Sequence, residues 1–382
     1  MNVKITLIYI NVIIIVLSII SISALWGIEP SLFSKLSVIA FLPLLVLYFR
    51  EFTQTKYFKI LMLYLCGLFV SLTLNKDVHL SLISTYFGPF FICSIIKGNE
   101  LRFFRPLFYM FLLVFIINAV AAFIERYIGF WIVPVSWRND VLLGQMITDD
   151  MDIVNFRAFA FFGHPLTNGN VMAFMSFIIL YTRSISLKIR LLLFTTGMAS
   201  LFCFNTRGAI LMSAVLLVPT IINYLKSYPK YRFVSLLCII VIAYVLYSNF
   251  ETFGGRLAHS DLDDRNSGVR LAAIDEFFSL SFPDLLAGGY SMKNGENGIL
   301  MILAYYGLLV GFIKVFTEIY LSYKLIKNDE SKIHKWVIML SLIAVASTNN
   351  NLATVLVVPF YILFMTFVMN NQPSLTIQES RA

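Results

Sequence analysis

The chain has 382 residues, of which 59% are hydrophobic and only 13% are charged. An ordinary soluble domain carries about 25% charged residues, so this composition excludes one and predicts a protein whose solvent is lipid. The net charge of +8 does not indicate nucleic-acid binding, because the basic residues stand in short segments between apolar runs, where they set membrane orientation.

Apolar runs of about 20 residues, the length that crosses a bilayer as an α-helix, recur along the chain. The first lacks a small-residue cleavage site and is predicted to be a retained helix rather than a signal peptide. The predicted fold is therefore all-α, a polytopic membrane helical bundle of about 12 transmembrane helices in a single integral membrane domain, 1–382. The predicted spans are 5–26, 32–49, 57–74, 79–96, 104–130, 167–183, 191–205, 208–225, 233–249, 297–323, 334–349 and 351–370.

The basic residues between these spans predict the orientation of the chain. If the N-terminus is cytoplasmic, five short segments face the cytoplasm, and each holds three or four Lys or Arg, as the positive-inside rule requires. These segments are 50–59, 97–105, 183–190, 226–232 and 324–335. An even number of spans separates them, so both termini are predicted to be cytoplasmic.

Two polar segments on the opposite face, at about 131–166 and 250–296, are too long to be simple turns. Both contain Gly, Pro and aromatic residues beside charges, which favours ordered loops with short interfacial helices. Within the second loop, Leu271, Ile274 and Phe278 share one face at helical spacing. This pattern predicts an amphipathic helix that lies on the outer membrane surface.

Arg207 is the leading candidate for function, because the orientation rule should leave the outer face poor in arginine. It stands in Asn205-Thr206-Arg207-Gly208, at the start of a predicted helix that Thr206 or Asn205 can cap. A cation there opposes the helix dipole, whereas an anion bound by both Arg207 and the helix start removes the conflict. Guanidinium groups suit phosphate because they bind two oxygens at once. The plainer interpretation is an arginine that reaches lipid headgroups.

Further candidates stand at the edges of the outer loops, each with a plainer structural alternative. Arg157 and His164 flank an apolar stretch, which is also typical of an interfacial aromatic loop with a turn histidine. Arg270 begins the amphipathic helix, where a membrane anchor is the alternative. Arg265 ends an acidic run that by default is solvated. Glu296 precedes a span and can serve as a general base, although glutamate is favoured at any helix N-terminus.

Metal and disulfide chemistry are not predicted, because no CxxC or Cys/His cluster occurs. The four cysteines all fall inside apolar segments. Near the middle of the predicted spans, charge is almost limited to Lys314 and Glu318, which are four residues apart and are predicted to pair. A transporter would instead place several polar groups at the bilayer midplane.

Three groups of residues, in this order and on this side of the membrane, resemble the O-antigen polymerase and O-antigen ligase superfamily of bacterial membrane glycosyltransferases. The resemblance covers about residues 150–325. The groups are Arg157, Gly163, His164, Pro165 and Asn168; then Asn205, Thr206, Arg207, Gly208 and Ala209; then Ser267 to Arg270, Pro283 to Gly289, Glu296-Asn297 and Tyr306 to Gly311.

The resemblance implies glycosyl transfer without a nucleotide sugar, a metal or another cofactor, from a glycan on undecaprenyl pyrophosphate. It implies that Arg157, Arg207 and Arg270 bind the pyrophosphate as it leaves and that Glu296 is the base. His164, Asn168 and Asn297 are implied to contact substrate. An extra residue before Arg270 leaves Arg265 as its rival. Relatives, ligases especially, have histidine where this chain has Glu296, which favours a polymerase.

The resemblance therefore implies a polymerase of lipid-linked repeat units that makes O-antigen or a related surface polysaccharide in the bacterial inner membrane. Its donor and acceptor are both carried by undecaprenyl pyrophosphate. The implied protein partners are a chain-length regulator and a flippase of the same pathway. Two alternatives stay open: a ligase that transfers glycan to lipid A-core and, from a different class, a transporter of the lipid-linked glycan.

Overall fold

A computed structural model of the chain describes about three fifths of it. The described residues are 3–19, 30–74, 83, 87–96, 100–132, 157–161, 165–182, 185–206, 208–210, scattered positions from 213 to 248, 265–290, 292 and 298–325. Within these ranges the regular structure is helical, and no strand occurs. The predicted spans 334–349 and 351–370 lie outside the described residues.

The helices agree in position with the predicted apolar runs, except those at Arg265–Ser279 and Phe282–Ala287, which lie in the predicted loop 250–296. In chain order the helices are α1 (Val3–Ile19), α2 (Pro30–Thr53), α3 (Phe58–Leu74), α4 (Gly88–Ile95), α5 (Glu100–Ile128), α6 (Pro165–Tyr181), α7 (Leu187–Phe204), α8 (Arg265–Ser279), α9 (Phe282–Ala287), α10 (Gly298–Tyr306) and α11 (Leu308–Leu325). Almost every position described between 208 and 248 is also helical. The predicted all-α class is confirmed for the described residues.

In the described part of the chain, three helices are long and apolar enough to cross a membrane. The segments are Lys35–Thr53 in α2, Phe108–Ile128 in α5 and Leu187–Phe204, which is α7. Their outward faces are apolar, with Val46, Leu113 and Leu192 all more than half exposed. Soluble proteins rarely expose such continuous apolar surface, so these helices indicate that the chain associates with a membrane.

Lys4 joins α1, α2 and α4 at one end of the bundle. Its ammonium group forms an ion pair with Glu51 at the end of α2 and donates a hydrogen bond to the Ile95 carbonyl oxygen at 3.0 Å. The same group lies 4.9 Å from the centre of the Tyr48 ring. These contacts bring the first turn of α1 and the last turns of α2 and α4 to one level.

Helices α5, α6 and α7 form the unit that carries the described part of the candidate site, with α6 and α7 packed closely. Gly197 of α7 permits this approach, because a Cβ atom there would overlap the Ser176 hydroxyl of α6 and lie 2.8 Å from the Phe115 ring of α5. The C-terminal ends of α5 and α7 therefore lie beside the N-terminal end of α6.

The predicted span 297–323 is not one continuous helix. Gly307 adopts φ +82 and separates α10 from α11. A Cβ atom on Gly311 would lie 3.1 Å from Leu303 Cα, whereas eight residues of straight helix separate two positions by about 12 Å. The chain therefore bends sharply at Gly307.

The turn after α9 packs directly on this bend. Gly289 donates its backbone N–H to the Tyr305 carbonyl oxygen at 2.8 Å, and Gly288 has φ 72 and ψ −162. Almost only glycine adopts these angles. A Cβ atom on Gly288 would overlap the Gly307 backbone nitrogen and lie 2.8 Å from the Tyr305 oxygen. Glycine is thus needed at position 288 for both its angles and its lack of a side chain.

We expect Gly288→Ala to destabilise the protein by about 3 kcal/mol or more, the sum of backbone strain and overlap with the bend. Gly129→Ala is the matched control, because Gly129 has the same φ of +72 but nothing within 4 Å of a new Cβ atom. We expect it to cost only about 1 kcal/mol. Thermal unfolding of the purified proteins in detergent measures both, and equal losses would contradict the proposed packing.

The predicted amphipathic helix at 269–280 is confirmed as α8. One face packs on α10 through Ala273 and Phe277, the latter only 6% exposed. The other face carries the predicted apolar stripe, in which Leu271 and Phe278 are 63% and 76% exposed. An exposed apolar stripe of this kind is what a helix on a lipid surface requires.

We expect a thiol at position 278 to lie in lipid and a thiol at position 279 to lie in water, because Ser279 is exposed and polar. In a background without the four native cysteines, a membrane-impermeant maleimide added to spheroplasts should modify Ser279→Cys rapidly. Phe278→Cys should react only after detergent is added, because thiolates form poorly in lipid. Equal modification of both variants would show that α8 does not rest on the membrane.

Candidate functional site

The eight predicted site residues divide into three groups. Arg157 and Asn168 are described with their side chains, and Arg265 and Arg270 are placed on α8 by its backbone. The other four lie outside the described residues: His164, Arg207, Glu296 and Asn297. The predicted meeting of the arginines with Glu296 at one cavity therefore stays a prediction. What the described residues do give is the framework around Arg157 and Asn168.

A buried carboxylate is the centre of this framework. Glu125 lies near the end of α5 and is 1% exposed. Its Oε2 atom accepts hydrogen bonds from two successive backbone N–H groups, those of Phe159 at 2.7 Å and Ala160 at 2.9 Å. Backbone donors of this kind compensate a buried carboxylate for the water it loses.

Asn118 extends the framework by two helical turns along the same face of α5. Its Oδ1 atom accepts the backbone N–H of Phe161 at 3.1 Å. Its side chain is fully buried, and its Nδ2 atom has no hydrogen-bond partner among the described residues. Glu125 and Asn118 together bind three successive backbone donors.

Two further contacts fix the same segment to α6 and α7. The Ala158 backbone N–H donates to the Cys203 carbonyl oxygen of α7 at 2.9 Å. The Phe159 carbonyl oxygen accepts a hydrogen bond from Asn168 Nδ2 of α6 at 2.6 Å. The segment 157–161, which we call the Arg157 segment, is therefore bound by all three helices of the unit. Asn168 was predicted to contact substrate, and here it supports this segment.

The end of α7 is built to meet α6 closely. Asn205 ends the helix in the left-handed conformation, with φ 50 and ψ 47, which asparagine tolerates better than most residues. Thr206 follows and is 1% exposed. Its side chain lies against Gly169 of α6, where a Cβ atom would overlap the Thr206 hydroxyl. The second residue after α7 is therefore held against the first turns of α6.

The next helix has the backbone hydrogen bond of the predicted cap. The Thr206 carbonyl oxygen accepts the Ile210 N–H at 3.1 Å, which is the first bond of a helix that begins after Thr206. The Thr206 Oγ1 atom, however, has no partner within the described residues. Among the described residues, the side-chain cap that was predicted for Thr206 does not form.

These contacts bring Ala158 and Thr206, the chain neighbours of two predicted site arginines, to the end of α7. Arg157 is half-buried and precedes Ala158, which bonds to the end of α7. Arg207 follows Thr206, and consecutive Cα atoms are about 3.8 Å apart. Both arginines are therefore joined by one peptide bond to residues that α6 and α7 hold.

A second polar contact lies on α8. The Tyr290 hydroxyl donates a hydrogen bond to the Glu276 carboxylate at 3.2 Å, and this bond, followed by partial burial, raises the pKa of Tyr290 above its usual value. The phenol therefore stays protonated at neutral pH and ties α8 to the turn that packs on Gly307. This contact positions the backbone that carries Arg265 and Arg270.

Glu125 and Asn118 were missed by sequence reasoning, which took charge near the middle of the spans to be almost limited to Lys314 and Glu318. The signal was present, because Glu125 stands inside the predicted span 104–130 and ionisable residues there mark functional or structural polar sites. The seven-residue spacing from Asn118 also placed both on one helical face.

Comparisons with known proteins give no match that bears on this framework. No protein-family model, no curated protein and no solved structure matches the chain. The family resemblance of the arginine, glycine and asparagine motifs is therefore a hypothesis that rests on those motifs and on their positions.

Proposed function

We propose that the chain polymerises oligosaccharide repeat units carried on undecaprenyl pyrophosphate, making O-antigen or a related surface polysaccharide. The observation that supports this proposal best is the contact between the Arg157 segment and the end of α7. It connects the first two motifs of the family resemblance, although Arg157 and Arg207 are 50 positions apart along the chain. Two arginines at one site suit a pyrophosphate, which offers several pairs of oxygens.

The proposed orientation places this site on the periplasmic side of a bacterial inner membrane, with about 12 spans and both termini in the cytoplasm. Lys4, Glu51 and Ile95 meet at one end, as a cytoplasmic position for all three requires. Glu125 lies near the far end of α5, a helix of 29 residues that is about 43 Å long. That length is sufficient to carry the site across the bilayer.

The proposed reaction needs one base and a group of cations. Glu296 accepts the proton of an acceptor sugar hydroxyl, and the hydroxyl oxygen forms a bond to the anomeric carbon of the donor glycan. The bond from that carbon to the pyrophosphate oxygen breaks. Undecaprenyl pyrophosphate then leaves as an anion that Arg157, Arg207 and Arg270 stabilise. His164 and Asn297 contact the sugars.

Deletion of the gene tests this proposal against its nearest rival. Cells without a polymerase should cap their lipid A-core with one repeat unit, and the length ladder on a gel should disappear. Cells without a ligase should accumulate polymer on the carrier lipid and leave the core uncapped. Carrier-linked polymer in the deletion strain would therefore replace the polymerase proposal with the ligase.

One observation favours a transporter as the second candidate. The α10–α11 helix is interrupted at Gly307, and Lys314 of α11 is only 1% exposed. Broken helices and buried charges line substrate pathways in many transporters. A transporter mutant should accumulate single lipid-linked repeats on the cytoplasmic side and should leave the core uncapped, which distinguishes it from both enzymes.

A further inference from the structure

We infer that Glu125 is a positioning residue of the candidate site: its carboxylate holds the Arg157 segment in place and so sets where Arg157 lies. The positioning role concerns the fold of this chain alone. Its consequence for polymer synthesis rests on the proposed function.

The first argument is that the Arg157 segment cannot provide hydrogen-bond acceptors for its own backbone N–H groups. Ala160 has φ 38, which interrupts helix and strand geometry and is unfavourable for a residue with a Cβ atom. Four successive N–H groups, from Ala158 to Phe161, point to acceptors on other helices. A buried N–H group without an acceptor is strongly destabilising, so this conformation depends on those acceptors.

The second argument is that Glu125 accepts more of these four N–H groups than any other residue does. One oxygen of its carboxylate accepts two of the four donors, including that of the strained Ala160. Asn118 and the Cys203 carbonyl group accept one each. Glu125 alone therefore accepts as many of the four donors as Asn118 and Cys203 together.

The third argument is that Arg157 lies close, along the chain, to the residues that Glu125 binds. Arg157 is two residues from Phe159, whose N–H bonds to Glu125, and it is joined directly to Ala158. If the N–H groups at 159 and 160 lose their acceptor, the Ala158 bond to α7 loses its support and Arg157 moves away from the end of α7. Catalysis that needs Arg157 beside a pyrophosphate would then fall steeply, because small misplacements of a binding group can cost about 100-fold.

Two substitutions separate hydrogen bonding from charge. Glu125→Gln keeps a carbonyl oxygen that can accept both N–H groups but removes the negative charge. Glu125→Ala removes both. Asn118→Ala is a milder third variant that removes only the acceptor of the Phe161 N–H, and it keeps the test informative if Glu125→Ala does not fold.

The position of the Arg157 segment against α7 can be measured without an activity assay. Ala158→Cys is introduced beside the native Cys203, with the other three cysteines replaced by serine, and disulfide formation is followed after addition of copper phenanthroline. The backbone hydrogen bond of Ala158 to Cys203 brings the two positions together. Both positions are buried, which slows thiol oxidation, so each rate is compared with that of the Glu125 parent. We expect Glu125→Gln to cross-link at about the parent rate, Asn118→Ala more slowly, and Glu125→Ala not at all.

The polymer ladder, measured with the native alanine at position 158, gives the second readout. We expect Glu125→Ala to lower polymer yield about 100-fold and Glu125→Gln to lower it less than about tenfold. Cross-linking of Glu125→Ala at the parent rate would overturn the inference. So would a Glu125→Gln variant that cross-links normally but makes no polymer, because the charge would then act in the chemistry. If even the parent makes no polymer, the proposed function fails, and the cross-linking rates still decide the positioning role.

Discussion

Replacing Arg207 with alanine is expected to abolish long-chain polysaccharide while the protein stays in the membrane at its normal level. The neighbouring residues Asn205 and Thr206 are buried at the contact between α6 and α7 and keep their own contacts in this variant. In the proposed reaction, Arg207 stabilises the charge that develops on the leaving pyrophosphate. Loss of one such group typically lowers a rate by about 100-fold to 1,000-fold.

The control variants for this prediction separate charge, geometry and stability. Arg207→Lys keeps a positive charge but loses the paired donors of the guanidinium group, so we expect only partial polymer synthesis. Arg50→Ala removes an exposed arginine from the last turn of α2, at the other end of the bundle, and should leave the ladder intact. A full-length ladder from Arg207→Ala on a silver-stained gel would remove Arg207 from the mechanism.

Replacing Glu296 with glutamine is expected to block polymerisation while a single repeat unit still reaches the cell surface. Glutamine is similar in size and shape but cannot accept the proton of the acceptor hydroxyl. The start of α10 at Gly298 lies two residues after Glu296, and the Gly288-Gly289 turn that precedes it is fixed on the bend at Gly307. Capping with one repeat should persist, because a separate ligase performs that transfer.

Asp275→Asn is the matched control for Glu296→Gln, because Asp275 is an exposed carboxylate on the neighbouring helix α8. We expect it to retain the polymer ladder. Full-length polymer from Glu296→Gln would show that another group is the base. Loss of the single repeat as well would contradict the polymerase proposal, because an uncapped core is the phenotype expected of a ligase or a transporter.

The positions of the helices were well predicted because apolar length is a local property of the sequence. The predicted span 57–74 corresponds to α3 at Phe58–Leu74, and the stripe of Leu271, Ile274 and Phe278 predicted α8. In both cases the spacing of apolar residues within one helix is enough to predict where that helix lies. No contact with another helix is needed to recognise the pattern.

The bend at Gly307 and the Glu125 framework were not predicted, because both depend on contacts between distant residues. A glycine inside an apolar run does not by itself indicate a break, and Gly307 becomes one where the turn at Gly288 packs on it. Glu125 accepts hydrogen bonds from residues more than 30 positions away. Periodicity carries no information about which loop a buried side chain will bind.

The packing of α3 on α11 has a consequence for how the protein is made. Gly67 of α3 allows Val310 and Ile313 of α11 to approach, at 3.8 and 3.6 Å from where a Cβ atom would lie, yet more than half of the chain separates the two helices. In the proposed membrane topology, α3 enters the bilayer early in translation and α11 late, so the Gly67 face contacts lipids or insertion machinery until α11 is made. The bundle can close only near the end of synthesis, and a chain cut before residue 308 would keep an open groove within the membrane.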